Sequence, residues 1–145
     1  MARWISAELR QTIANRAKQL CEYCLIAEAD TFYGCQVDHI ISLKHGGSST
    51  SNNIAYACAL CNRAKGSDIG SITASGELTR FFNPRTDRWS EHFRLEGASI
   101  QPLTTIGEVT ARILGFNDGA RLHERDDLIR FGKYPSEAGA RMLRS

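Results

Sequence analysis

The sequence predicts an α+β fold, built as a strand–loop–strand–helix unit closed at both ends by thiols, with a helix before it and a mixed extension after it. Three observations carry this prediction. Cysteines occur in two Cys-x-x-Cys pairs, Cys21/Cys24 and Cys58/Cys61. Between the pairs, apolar residues recur at strand rather than helix period. The second pair runs into a short helical stretch that stops at Gly66, where a glycine can take up the left-handed turn that ends a helix.

In order along the chain, Ser6 can cap a helix over 7–20, in which Leu9, Ile13, Ala17 and Leu20 recur at helical spacing. Glu8 falls in the first turn, where negative charge suits the helix dipole. Arg10, Arg16 and Lys18 lie on the other side, as a solvated face or one turned toward phosphate. Residues 25–35 read as an irregular link. Residues 36–43 read as a strand with Val37, His39, Ile41 and Leu43 on one face, and 54–57 as a second, short strand. The polar loop between them contains Gly46-Gly47. The second knuckle then begins a helix through Lys65. Further on, 67–90 reads as loop, 89–101 as imperfect strands, and 105–114 and 126–131 as helices. No internal repeat is present.

With 145 residues, 42% of them hydrophobic, one domain with a genuine core is expected. No apolar run is long enough to cross a membrane, and the opening Met-Ala-Arg-Trp-Ile-Ser lacks the apolar stretch of a secretory signal. The expected location is cytoplasmic. In such a reducing compartment paired cysteines favour a metal over disulfides. A net charge of +2 is weak support for nucleic-acid binding.

Four thiols in two pairs suit a tetrahedral zinc site. Between the pairs lie Asp38 and His39, with Asn62 directly after Cys61. A carboxylate, an imidazole and carboxamides are the groups needed to hold a hard metal and activate a water.

These residues carry a resemblance. Cys21-Glu-Tyr-Cys24, Val37-Asp38-His39-Ile40-Ile41, His45-Gly46-Gly47, Asn53-Ile54 and Cys58-Ala-Leu-Cys61-Asn62-Arg63-Ala64-Lys65-Gly66 together resemble the HNH endonucleases. The relevant branch is that of the His-Me finger nucleases whose ββα-metal core is held by a four-cysteine zinc site. The resemblance implies a nuclease core with its N-terminal helix and knuckles over 1–70. Residues 71–145 are then an extension packed on that core, and the run around Phe81 to Phe93 looks like a tail found in one subgroup.

It further implies hydrolysis of double-stranded DNA with His39 as general base. A single Mg²⁺ or Mn²⁺ is held by Asp38 and Asn62, and structural Zn²⁺ by Cys21, Cys24, Cys58 and Cys61. Asn53 is the middle residue of the catalytic triad; of the neighbouring asparagines only it fits the family pattern of Asn, an aliphatic, three residues and Cys. Its implied role is to hydrogen-bond across the loop and position the strand that bears His39. Lys65 could meet a phosphate or stand as an exposed lysine. Adjacent strand residues point to opposite faces, so Asp38 and His39 can share one phosphate only if the strand twists or ends there.

Cys35 reads as a small buried residue beside the strand, His45 as part of the Gly-Gly loop, Trp89 and His92 as packing of the tail, and His123 as surface. The rival readings are a zinc-stapled nucleic-acid-binding module without turnover, an RNase, and a structural zinc protein with a protein partner.

Overall fold

The computed structural model describes residues 5–145. Residues 1–4, part of the segment read above for a missing signal sequence, lie outside the described residues. Among the described residues no helix is long and apolar enough to cross a membrane.

Helix α1 spans Ala7–Arg16 and is capped by Ser6, whose Oγ accepts from the Leu9 amide at 3.0 Å. It is shorter than the 7–20 expected. Lys18 and Gln19 adopt left-handed φ values of 57° and 56°, which turn the chain out of the helix. The reversal is needed because residues 19–28 fold back on themselves. Glu28 N donates to Gln19 O, and Cys21 N to Ile26 O, so the first knuckle sits at the tip of a tight loop.

Strands β1 (Cys35–His39) and β2 (Ile54–Cys58) pair antiparallel, with Cys35 opposite Cys58 and His39 opposite Ile54. β2 is buried along its whole length and serves two cores at period two. Ile54 and Tyr56 join Ile13, Ala14 and Ala17 of the N-terminal segment, while Ala55 and Ala57 face the thiols and the C-terminal half. The small alanines leave room on that side for the cysteine cluster.

β1 is shorter than the strand expected over 36–43, and burial does not follow a single face: Val37 packs partly on the N-terminal core, and Gln36 on the other face is exposed. Asp38 and Ile40 are buried, whereas Ile41 is exposed. Asp38 is drawn inward by a hydroxyl and an ammonium partner described below. The strand stops at His39 because the next backbone groups are taken by a side chain. Asn53 accepts from Ile41 N through Oδ1 and donates to Ile41 O through Nδ2, both at 2.9 Å, in place of a further ladder residue.

Helix α2 (Ala59–Lys65) follows β2 directly and ends at Gly66, φ 53°. The segment 67–90, expected to be loop, contains a hairpin of β3 (Gly70–Ile72) and β4 (Leu78–Arg80), and Trp89 begins the short helix α3 (Trp89–His92). A second hairpin pairs β5 (Phe93–Glu96) with β6 (Ser99–Pro102). Helix α4 (Thr105–Ile113) packs on both hairpins. Helix α5 (Gly119–Arg130) is longer than the stretch 126–131 expected, and α6 (Glu137–Arg144) was not expected. Their faces show why. α5 buries only Arg121 and Arg125, so apolar periodicity gives no signal over its first two turns.

The main core joins both halves of the chain. Phe93 stacks against Phe82, Trp89 and Phe116 at centroid distances of 5.0–5.5 Å. The same cluster contains the four knuckle cysteines, Ile40, Ala55 and Tyr134.

Candidate active site

Cys21, Cys24, Cys58 and Cys61 are all buried, and their sulfurs lie within 4.8 Å of one another. Tetrahedral Zn–S bonds of about 2.3 Å place sulfurs roughly 3.8 Å apart, and Cys24 Sγ lies 3.8 Å from Cys58 Sγ. Each pair is shaped locally. The Cys24 amide points at Cys21 Sγ and the Cys61 amide at Cys58 Sγ, both at 3.4 Å, so Cys58 at once belongs to the thiol set and caps α2. Four buried thiols with these separations form a site for a metal ion, and an all-sulfur tetrahedral set suits zinc. Hydrogen bonds from Cys21, Cys58 and Cys61 pull the Cys24 thiol well below its ordinary pKa, while burial pushes Cys21 and Cys61 up. Cys35 lies outside this set, half-buried at the strand end.

The C-terminal half supplies groups to this centre that sequence reasoning missed. Arg121 of α5 is buried, donates to Cys61 Sγ at 3.1 Å and fixes its other arm on Leu114 O at 2.7 Å. Burial alone would lower its pKa, but the sulfurs of Cys61 and Cys24 raise it, so it stays charged. Tyr134 Oη donates to Cys24 O at 2.8 Å, and Trp89 Nε1 to Tyr23 O at 2.8 Å. Glu22, also in the first knuckle, accepts from Tyr56 N and pairs with Arg85.

At the other end of α2, Asp38 and His39 line one open cavity of about 740 Å³ with Ser42, Leu43, Lys44, Gly66 and Ser67. The two neighbours share it because β1 ends at His39. His39 is half-buried, and its Nε2 lies 3.0 Å from Ser49 Oγ.

Asp38 is 3% exposed, with its two oxygens divided between two partners. Tyr23 Oη donates to Oδ2 at 2.7 Å, and Lys65 Nζ pairs with Oδ1 at 3.2 Å. Burial raises the Asp38 pKa, and the ammonium of Lys65 and the hydroxyl of Tyr23 oppose that rise. Lys65 is neither an exposed lysine nor available to a phosphate in this arrangement. It is 1% exposed and also donates to His39 O at 2.9 Å. Breaking such a buried pair by removing one partner costs about 3–5 kcal/mol.

Asn62 sits one turn before Lys65, and its amide donates to Gln36, two residues before Asp38 on β1. The helix thus aligns Asn62 with Gln36 and Lys65 with Asp38, and Asn62 is not among the residues lining the cavity. Asn53 clasps the loop, donating to Ser48 O at 2.7 Å as well as to Ile41 O. Gly47 is required beneath that clasp, since a Cβ there would fall 1.7 Å from Ile41 O. Trp89 is buried, His92 packs edge-on to Phe82, and His123 lies exposed beside Asp127.

No curated protein and no solved structure matches the chain significantly. Residues 21–68 match the family model described as HNH endonuclease, with both cysteine pairs and Asp38, His39, Asn53, Asn62 and Lys65 inside the matched span.

Proposed function

We propose that the chain is a metal-dependent endonuclease that hydrolyses phosphodiester bonds in double-stranded DNA. The observation that carries this reading is the shared cavity: an imidazole and a carboxylate from consecutive residues open onto one space with an exposed lysine, Lys44, at its wall. His39 is the general base, taking the proton of the attacking water. Imidazole suits this because it exchanges protons near neutrality. Its Nε2 contact with Ser49 orients the ring. Lys44 draws the backbone phosphates toward the cavity, since phosphate contacts dominate affinity for DNA.

Asp38 and Asn62 offer an all-oxygen donor set that suits Mg²⁺ or Mn²⁺. Asp38 fits a cation at this position, because Oδ1 already faces a positive group, the Lys65 ammonium. Asn62 lies one turn before Lys65 on the same helix, and its amide would have to leave Gln36 to join Asp38 at the ion. A divalent ion so held supplies charge neutralisation at the phosphate and at the leaving 3′-oxygen. The resemblance to the HNH nucleases further implies products with a 3′-hydroxyl and a 5′-phosphate. Asn53 acts at one remove, holding the loop that follows His39.

The test is incubation of zinc-loaded protein with supercoiled plasmid and Mg²⁺ or Mn²⁺, with EDTA as control. Nicked or linear product that EDTA suppresses is expected. Intact plasmid at saturating metal would overturn the reading and leave a zinc-stapled binding module. DNA and RNA of one sequence in competition separate a DNase from an RNase.

A further inference from the structure

A fully buried lysine is rare, and one paired with a carboxylate that itself lines an open cavity calls for an explanation. Lys65 Nζ sits between Asp38 Oδ1 and His39 O, two oxygen donors on consecutive residues. That is the environment of a bound cation, supplied here by the chain itself. We infer that Lys65 is the resident counter-ion of Asp38 and yields Oδ1 to a divalent cation when one enters the cavity, while Tyr23 keeps Oδ2. This rests on the reading of Asp38 as a metal ligand.

The two partners of Asp38 differ in how they are held. Tyr23 lies between two cysteines of the thiol cluster, its ring is fully buried, and its carbonyl is fixed by Trp89. Its hydroxyl cannot leave Oδ2 without disturbing the knuckle. Lys65 sits on a flexible four-carbon stem as the last residue of α2, before Gly66 in a positive-φ turn. Gly66 and Ser67 line the same cavity as Asp38, so a displaced ammonium has space and water within reach. A divalent ion carries more charge than an ammonium and accepts more oxygen donors, so exchange is favoured once metal and phosphate are both present. Without them, the lysine spares Asp38 the cost of a buried, unpaired carboxylate.

The experiment is amine acylation of the zinc-loaded wild-type protein, read peptide by peptide by mass spectrometry, with dimethyl phosphate present throughout as a minimal phosphodiester, and with and without Mn²⁺. Lys133, 60% exposed, is the internal reference. Mn²⁺ occupancy is followed in parallel by the electron paramagnetic resonance signal of the free ion. Lys65 should be protected without Mn²⁺ and become modified as Mn²⁺ binds, with Lys133 unchanged. In Lys65→Met, if it folds, Mn²⁺ should bind about tenfold more tightly, within the usual range of couplings between competing ligands. Mn²⁺ bound while Lys65 stays protected would overturn the inference, as would no Mn²⁺ binding at all. None of these readings needs turnover. Lys65 release without plasmid cleavage would sink the nuclease reading alone; cleavage with Lys65 still protected would sink this inference alone.

Discussion

The two ends of α2 meet metal chemistry on opposite terms. At the N-terminal end Cys58 and Cys61 join Cys21 and Cys24 in a buried set of soft donors, enclosed by Arg121 and the aromatic core. At the C-terminal end Lys65 closes over a single carboxylate, and the surroundings open into a cavity. The first arrangement excludes water and suits a permanent structural ion. The second leaves positions for water and phosphate and suits an ion that comes and goes. A helix of seven residues, roughly 10 Å long, separates them. The closed site therefore fixes the height at which Asn62 and Lys65 sit against β1.

Breaking the closed end should have the largest effect. Cys58→Ser removes one thiol of the four-cysteine set and alters the cap of α2. Structural zinc supplies on the order of 10 kcal/mol in small modules, so loss of the cooperative melt is expected, together with loss of the roughly one zinc per chain that a single tetrahedral site holds. Elemental analysis and calorimetry check this. A zinc-free variant melting at the wild-type temperature would show that the thiols only pack.

Breaking the open end should leave the closed end untouched. His39→Ala is expected to lower plasmid cleavage by about 10²–10⁴, with zinc content and melting temperature near wild type. Cleavage at the wild-type rate would remove His39 from the mechanism, and His45 in the adjoining loop would be tried next.

The same contrast explains what the sequence could reveal. The thiols, Asp38, His39, Asn53 and Gly47 fall within one short segment, and each has a side-chain chemistry or a lack of one that few other residues could replace. Their spacing therefore carries information. Tyr23 reaches Asp38 from 15 positions away, Trp89 reaches the Tyr23 carbonyl from 66, and Arg121 reaches Cys61 from 60. Tyrosine, tryptophan and arginine are ordinary core or surface residues, and nothing local marks one as the partner of a distant atom. Tyr23 was visible inside its knuckle, but periodicity says nothing about where its hydroxyl reaches. The burial of Asp38 was hidden for a related reason. Alternation assigns faces by polarity, and here the polar residue turns inward because Tyr23 and Lys65 satisfy it. The helices of the C-terminal half were blurred where buried arginines stand in for apolar residues.

A subtler change at the open end separates ligand from bystander. Asn62→Ala should raise the Mg²⁺ concentration needed for cleavage and lower the maximal rate. Asn62→His should shift preference toward Ni²⁺ or Co²⁺, which favour nitrogen donors. Metal titrations of wild type and both variants that superimpose would restrict Asn62 to its contact with Gln36.

The smallest effect is expected where the two halves of the chain meet the closed end. Four thiolates around one divalent ion would leave a net negative charge, and among the described residues Arg121 donates charged hydrogen bonds to them, at 3.1 Å to Cys61 and 3.9 Å to Cys58. Hydrogen bonds from outside a metal's ligand set commonly change affinity by about 10–100-fold. Arg121→Met should therefore release zinc to a chelator about tenfold faster while the fold persists, since methionine is an unbranched apolar side chain that can fill the space of the buried arginine stem. Arg121→Lys keeps the charge but cannot span Cys61 and Leu114 O at once. An intermediate release rate in the lysine variant would assign the effect to charge as well as geometry. Plasmid cleavage measured with zinc in excess should be unchanged in both, because neither touches the cavity. A cleavage defect that excess zinc does not repair would mean that the two ends of α2 are not independent.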